Sequence, residues 1–344
     1  MLSASPAVSP RVRLLLWVAV VWTFCLLMLG AWVRLHDAGL GCPDWPGCYG
    51  HLTVPEAPHE IAKASAQFGG TVEPAKGWKE MIHRYAAGGL GLLVLALTVA
   101  LLRKRTPHSA PVWLVLAPPL VILLQALLGM WTVTLKLMPV VVTAHLMGGM
   151  SMLALLTALA ARSTLAPMAL PAETRSVAWL ALALVAVQIV LGGWVSTNYA
   201  GLACDGFPAC RGSFAPAPGL LDALRPDRAL GLTADGNPLT IDHLAAIHWL
   251  HRCGALLVTL LVLALVLRLW RDARPFALAL LAALVLQVAL GVANVELSLP
   301  LPLAVAHNGG AALLLLTLIT LLARLRRPKE IHGYANAGRA FALR

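Results

Sequence analysis

Trp32-Val-Arg-Leu-His-Asp-Ala-Gly-Leu-Gly-Cys42-Pro-Asp-Trp-Pro-Gly-Cys48 returns once, 162 residues later, as Trp194-Val-Ser-Thr-Asn-Tyr-Ala-Gly-Leu-Ala-Cys204-Asp-Gly-Phe-Pro-Ala-Cys210. Each copy follows an apolar run and encloses two cysteines. The offset is nearly half of the 344 residues, so the chain reads as two related halves. More of the repeat lies outside the cysteine stretch. Leu124-Gln125-Ala-Leu-Leu-Gly129 matches Leu286-Gln287-Val-Ala-Leu-Gly291, and Thr143-Ala-His145-Leu-Met-Gly148 matches Val305-Ala-His307-Asn-Gly-Gly310, both at the same offset. His83-Arg84 matches His251-Arg252 at 168, which makes the second long connection six residues longer.

The apolar runs set the fold class. The chain is 59% hydrophobic and 12% charged, against about 25% charge in an ordinary soluble domain. Runs that approach or exceed about 20 apolar residues can each cross a bilayer as a helix. The pattern predicts an all-α polytopic membrane protein with eight transmembrane helices at residues 14–33, 82–102, 112–133, 139–161, 177–196, 245–267, 276–294 and 302–323. No cleavage pattern follows the first run, so it reads as a span and not as a signal peptide. Four helices repeating as four helices preserve direction. The halves are therefore expected as parallel-repeat four-helix bundles about a pseudo-twofold along the membrane normal.

This gives a domain plan: an N-terminus over 1–13, a first half over 14–161, a linker over 162–176, a second half over 177–325 and a tail over 326–344. The net charge is +11. In a membrane protein Lys and Arg fix topology, so the basic balance does not point to nucleic acid. Arg11/Arg13, Arg103-Lys104-Arg105, Arg162/Arg175, Arg268/Arg271/Arg274 and Arg324/Arg326/Arg327/Lys329 all fall at one end of an eight-helix arrangement. The positive-inside rule places that end and both termini in the cytoplasm, with the cysteine loops 34–81 and 197–244 outside. Those loops, which carry Trp45, Tyr49, Trp78, Tyr199 and Phe207, are expected to form short helices or turns over the bundle.

Ionisable side chains inside a span are costly and mark function. His145 and His307 lie at the same depth near the loop-bearing ends of two spans, and His83 and His251 are expected to open two others. Two histidines per half on two helices suit bis-imidazole ligation of a haem iron. Neither half offers the third and fourth ligands of a zinc site. His248, one turn before His251, competes with it as ligand; the following arginine favours His251 by analogy with His83-Arg84. Gly148, Gly149, Gly310, Ala311, Ala87 and Ala255 stand one turn from these histidines, either leaving room for a flat macrocycle or packing helices closely. Arg84, Arg252 and, with a Ser196 counterpart, Arg34 read as partners for haem propionates or as snorkelling helix-end anchors.

Glu80 separates the halves, because its counterpart is His248. A carboxylate one turn from an axial ligand can accept a proton at the reacting edge; equally, it can sit at a helix N-terminus, where negative charge is favourable. Cys42/Cys48 and Cys204/Cys210 lie on the oxidising side, as structural disulfides or as dithiols that exchange electrons. Cys25 and Cys253, inside spans, read as small packing residues.

Together, Gly-Leu-Gly-Cys42-Pro-Asp-Trp-Pro-Gly-Cys48, Glu80-Met-Ile-His83-Arg84, the histidines of the fourth and eighth spans and the eight-helix duplication resemble the haem A synthase family over residues 14–325. The resemblance implies an oxidoreductase of the bacterial inner membrane that converts haem O to haem A for terminal oxidases, oxidising the C8 methyl to a formyl by successive hydroxylations. It implies His83 and His145 as ligands of the substrate haem, His251 and His307 as ligands of a haem b cofactor, and Glu80 in catalysis. It also implies that the first cysteine pair matters for activity. A haem O synthase, an electron donor and membrane lipid are the expected partners, and a homo-oligomer is compatible with the sequence. Two other readings share the paired histidines: a di-haem b-type cytochrome that oxidises quinol, and a haem transporter or chaperone without chemistry.

Overall fold

A computed structural model describes residues 8–103 and 110–325. The expectations for Lys104, Arg105, His108, Arg326, Arg327, Lys329, His332 and the 326–344 tail lie outside the described residues.

The described residues form ten α-helices: α1 (Pro10–Leu35), α2 (Pro58–Phe68), α3 (Pro74–Arg103), α4 (Val112–Thr134), α5 (Pro139–Thr164), α6 (Ala172–Thr197), α7 (Leu220–Leu224), α8 (Ile241–Asp272), α9 (Arg274–Glu296) and α10 (Leu301–Arg324). Eight are long and apolar enough to cross a membrane, as expected. The apolar runs located the spans, but polar signals set their starts. Ser9 caps α1 by accepting from the Val12 N–H at 3.4 Å, with Pro10 in the first turn, where a missing N–H is harmless. α8 starts at a capping box formed by Thr240 and His243. As a result, α3 begins eight residues before residue 82, and α8 four before 245. His83 and His251 do not open their helices; each sits more than two turns inside one. The linker expected over 162–176 is also shorter, because α5 runs to Thr164 and α6 starts at Ala172.

The helices pack in two rings. α1 contacts α3 and α5, and α4 contacts α3 and α5; α6 contacts α8 and α10, and α9 contacts α8 and α10. The rings meet where α5 touches α6 and α10, and where α1 touches α10. One continuous apolar core, including Leu16, Leu153, Leu156, Val262, Leu280 and Leu318, runs through both. Gly193 of α6 lets the seam close: a Cβ there would stand 3.0 Å from Leu146 and 3.2 Å from Thr143, both on α5. Small residues allow this close approach between membrane helices.

Backbone detail repeats as well. The left-handed, non-glycine residues fall in pairs at the sequence offset of 162: Asp37 and Tyr199, Tyr49 and Arg211, Lys136 and Ser298, Leu137 and Leu299. Contacts between equivalent residues cross the seam at the loop-bearing end. Arg34 donates to the Ser196 carbonyl at 3.1 Å, and the Tyr199 hydroxyl donates to Asp37 at 2.8 Å.

The loops have small cores of their own. Cys42, Cys48, Tyr49, Val54, Ala64, Val72 and Met81 gather in the first, where α2 sets Phe68 edge-on to Tyr49 at 5.6 Å. Burial there, followed by the carboxylates of Glu73, Asp44 and Glu80, pushes the Tyr49 hydroxyl above the ordinary tyrosine range. In the second loop the fully buried Arg228 donates to Asn198 Oδ1 at 2.6 Å and to the Ala223 carbonyl at 2.7 Å, beside the C-terminus of α6, where a cation suits the helix dipole. Cys25 is exposed on α1 and does not pack inside the bundle, contrary to the expectation for it, because its face of the span points outward.

Gly193→Leu should destabilise the protein by about 1–3 kcal/mol through overpacking of the seam, read as a lower thermal midpoint in detergent. An unchanged midpoint would show that α5 and α6 do not close on this residue.

Candidate functional site: two histidine pairs beneath disulfide loops

Each of the four repeated histidines faces a glycine on the neighbouring helix. A Cβ at Gly30 of α1 would stand 3.0 Å from Cε1 of His83 on α3, and one at Gly192 of α6 would stand 3.1 Å from Cε1 of His251 on α8. Gly129 of α4 faces His145 of α5 at 3.6 Å, and Gly291 of α9 faces His307 of α10 at 3.0 Å. The glycines are themselves 162 apart within each type of pair. A side chain at Gly30, Gly192 or Gly291 would crowd the ring, and one at Gly129 would touch it at ordinary contact distance, so the missing side chains help to set where the imidazoles lie. α3 and α5, which carry His83 and His145, share the neighbours α1 and α4, and α8 and α10, which carry His251 and His307, share α6 and α9, so each half holds its two histidines within one ring of helices.

The glycines one turn from the histidines do something else. Gly148 and Gly310 make room for the side chains of Gln125 and Gln287, while Gly149 packs on Leu27. These positions therefore serve helix and glutamine packing, the second of the two readings the sequence left open. The opposing glycines Gly30 and Gly192 and the glutamine Gln188 had escaped the sequence reading. For the glycines the signal is repetition combined with knowledge of which helices touch; Gln188, whose counterpart is Leu26, carries no repeat signal.

The polar neighbours differ between halves. Gln188 Nε2 lies 3.0 Å from His251 Nδ1, and Gln287 Nε2 lies 3.3 Å from His307 Nε2. In the first half, Nδ1 of His83, Nδ1 of His145 and Nε2 of Gln125 are buried without a hydrogen-bond partner. As residues the four histidines are half-buried, although they lie inside the bundle. Among the described residues, no three His, Cys, Asp or Glu side chains converge on one point.

Above each pair sits a disulfide loop, Cys42–Cys48 with a Cα–Cα distance of 4.7 Å and Cys204–Cys210 with 4.6 Å. An arginine from the long helix below holds each loop by its backbone carbonyls. Arg84 donates to Asp44 at 2.9 Å, to Pro46 at 3.2 Å and also to Gly47. Arg252 donates to Ala209 at 3.0 Å, to Cys204 at 3.3 Å and to Pro208 at 3.4 Å. A planar guanidinium with several donors suits such a cluster of acceptors. Only the first half adds a carboxylate. Glu80, 6% exposed, accepts from the Cys42 N–H at 2.9 Å and pairs with Arg84 through its other oxygen. It holds the loop and does not cap the start of α3, which lies at Pro74. His248 occupies the equivalent place below the second loop, buried with its Nδ1 unpartnered. Arg34 lies at the seam, 4.0 Å above the Tyr199 ring and 3.7 Å from Asp37. All three arginines proposed as propionate contacts are thus engaged by protein oxygens.

Removing Arg84 strands a buried carboxylate, whereas removing Arg252 does not. Breaking a buried pair in this way costs about 3–5 kcal/mol. Arg84→Ala should therefore lower the thermal midpoint further than Arg252→Ala; equal losses would mean that Glu80 is not held by this pair.

The sequence profile described as cytochrome oxidase assembly protein, COX15-CtaA, matches residues 13–319. A protein of Shewanella oneidensis named heme A synthase is 48% identical over 317 residues, which cover 89% of this chain and 94% of that protein. Proteins with the same name from Rhodospirillum centenum and from a Chelativorans species are 31% and 30% identical, over 95% and 88% of this chain and 94% and 88% of their own lengths. With a family profile and relatives that each span most of its length, the chain belongs to the COX15-CtaA family of cytochrome oxidase assembly proteins.

Proposed function

We propose that this protein is a haem A synthase, an oxidoreductase that converts the C8 methyl group of haem O to a formyl group. The observation that carries this reading is an asymmetry between two related sites: both have a histidine pair under an arginine-held disulfide loop, and only the first has a buried carboxylate, Glu80, one turn from a ring. An electron carrier with two equivalent haems has no need of such a difference.

A haem suits these residues. Paired imidazoles from two helices, His83 with His145 and His251 with His307, would hold a haem iron in each half. A Cβ at Gly30, Gly192 or Gly291 would crowd the facing ring, and Nδ1 of His83, His145 and His307 has no hydrogen-bond partner in the folded chain. In this assignment His83 and His145 bind the substrate haem O, and His251 and His307 bind haem b. When bound, haem b supplies one-electron transfer. Glu80 is the proton acceptor at the substrate side: the Cys42 N–H and Arg84 fix both of its oxygens, so its direction is set before substrate arrives. The loops exclude water above each pair, and Arg84, Arg252 and Arg34 lie near enough to the loop-bearing end to meet propionates by exchanging carbonyl partners.

The same reading gives the protein two parallel repeats. A twofold axis brings equivalent residues together, and the Arg34–Ser196 and Asp37–Tyr199 contacts support one at the seam. The helix ends that carry Arg11, Arg13, Arg103, Arg162, Arg175, Arg268, Arg271, Arg274 and Arg324 lie opposite the loops, which supports a cytoplasmic placement of that end in the inner membrane. A haem O synthase to hand over the apolar substrate, and an electron donor, are the partners this chemistry calls for.

Expression with a source of haem O, followed by extraction and chromatography with mass detection, tests the activity. Haem A or its hydroxylated precursor is expected, and haem b alone in well-folded protein would refute it. Glu80→Ala should abolish product and leave the haem b spectrum in place; loss of that spectrum would make Glu80 structural. His307→Ala should remove the haem b signal, and an unaltered spectrum would reject that ligand.

A further inference from the structure

The two arginine clamps divide their donors differently. In the second half, one terminal nitrogen of Arg252 donates to the Pro208 and Ala209 carbonyls and the other to that of Cys204, so the loop takes both. In the first half, one terminal nitrogen of Arg84 serves the carbonyls of Asp44, Pro46 and Gly47, and the other is left for Glu80. The added acceptor belongs to Asp44, whose counterpart is Gly206. Both loops close on the same tight turn: Cys48 and His51 exchange backbone hydrogen bonds at 2.8 and 3.1 Å, and Cys210 and Ser213 at 2.9 and 3.0 Å. The left-handed turn residues match as well, Tyr49 with Arg211 and Gly50 with Gly212. The backbones part at position 44, because Gly206 has φ +72° and Asp44 is not left-handed. There the first loop also gains a brace. The Asp44 carboxylate accepts from the Tyr49 N–H at 2.6 Å with one oxygen and from the Gly50 N–H at 2.7 Å with the other. Gly206 has no side chain to offer Arg211 and Gly212.

We propose that Asp44 is a positioning residue for Glu80. Its side chain pins the first loop in the shape that gives one nitrogen of Arg84 a third carbonyl and leaves the other nitrogen for the carboxylate. The proposal rests on the reading of Glu80 as proton acceptor. Hydrogen bonds to an ionised acceptor are stronger than neutral ones, so two of them hold the turn and, with it, the Asp44 carbonyl. Without them the loop can relax towards the shape of its counterpart, in which the second guanidinium nitrogen turns to the carbonyl of the first cysteine. Glu80 would then keep the Cys42 N–H and lose the cation that fixes its other oxygen. A group that moves a proton must lie within hydrogen-bond reach of it, and a small displacement is costly in rate. Binding of the substrate by His83 and His145 does not pass through this contact, so the loss should fall on kcat and spare KM.

The test uses the purified full-length protein. D44G installs the residue of the second loop, and D44N keeps the size of the side chain with one acceptor oxygen. Conversion of haem O should show kcat lower by about 10–100-fold in D44G, with KM unchanged and the haem b spectrum retained, and D44N should recover part of the loss. An unchanged kcat, or a loss that falls on KM alone, overturns the proposal. If D44G does not fold, D44N carries the same comparison. A second measurement needs no turnover. Thermal midpoints of D44G, E80Q and the double variant form a cycle, and E80Q should lower the midpoint less when Asp44 is already gone. Additive losses overturn the proposal, because a loop brace that acts independently of Glu80 would give them. Non-additive midpoints in a protein that makes no product would instead refute the catalytic reading of Glu80 and leave its positioning by Asp44 in place.

Discussion

An imidazole deep in a membrane helix must be given space on one side and company on the other. The space comes from four glycines on neighbouring helices, each closing to within 3.6 Å or less of a histidine ring once a Cβ is imagined on it. This makes ring position a property of helix packing. If α1 moves from α3, or α9 from α10, the histidines lose the surface they rest on. The two rings of helices and their shared apolar core therefore matter to the site as much as the ligands do.

Company is distributed unequally. Two amides face the histidines of the second half, and Glu80 stands on the loop side of the first. The loop clamp itself is common property, because Arg84 and Arg252 both bind backbone carbonyls of their disulfide loops. A shared scaffold with separately altered polar groups lets two sites of one architecture differ in chemistry without differing in fold.

The eight spans were plain in the sequence because hydrophobic length is a bulk property that survives substitution. Their starts were not, because Pro74, Thr240 and the polar turns after them add helix beyond the apolar run. The histidines were legible through the repeat. Gly30 and Gly192 were not, since an isolated glycine in a span has many uses and only the pairing of α1 with α3 and of α6 with α8 shows which one applies. Arg84 and Arg252 were noticed for their charge, but the partners they have in common are loop carbonyl oxygens, which every residue possesses and no side-chain pattern reveals. Glu80 stood out as a difference between halves, yet its bond to the Cys42 N–H required a fold that brings positions 38 apart together.

The seam contacts make the duplication one-way. Arg34 meets Ser196, and Asp37 meets Tyr199, each at the offset that relates the halves. A chain built from two first halves would set guanidinium against guanidinium and carboxylate against carboxylate at the same spot. One built from two second halves would lose the ion pair and the cation–π contact that Arg34 supplies there. The halves have become lock and key to each other: neither fits its own duplicate, so the site with the carboxylate and the site without it occur together, one of each per molecule.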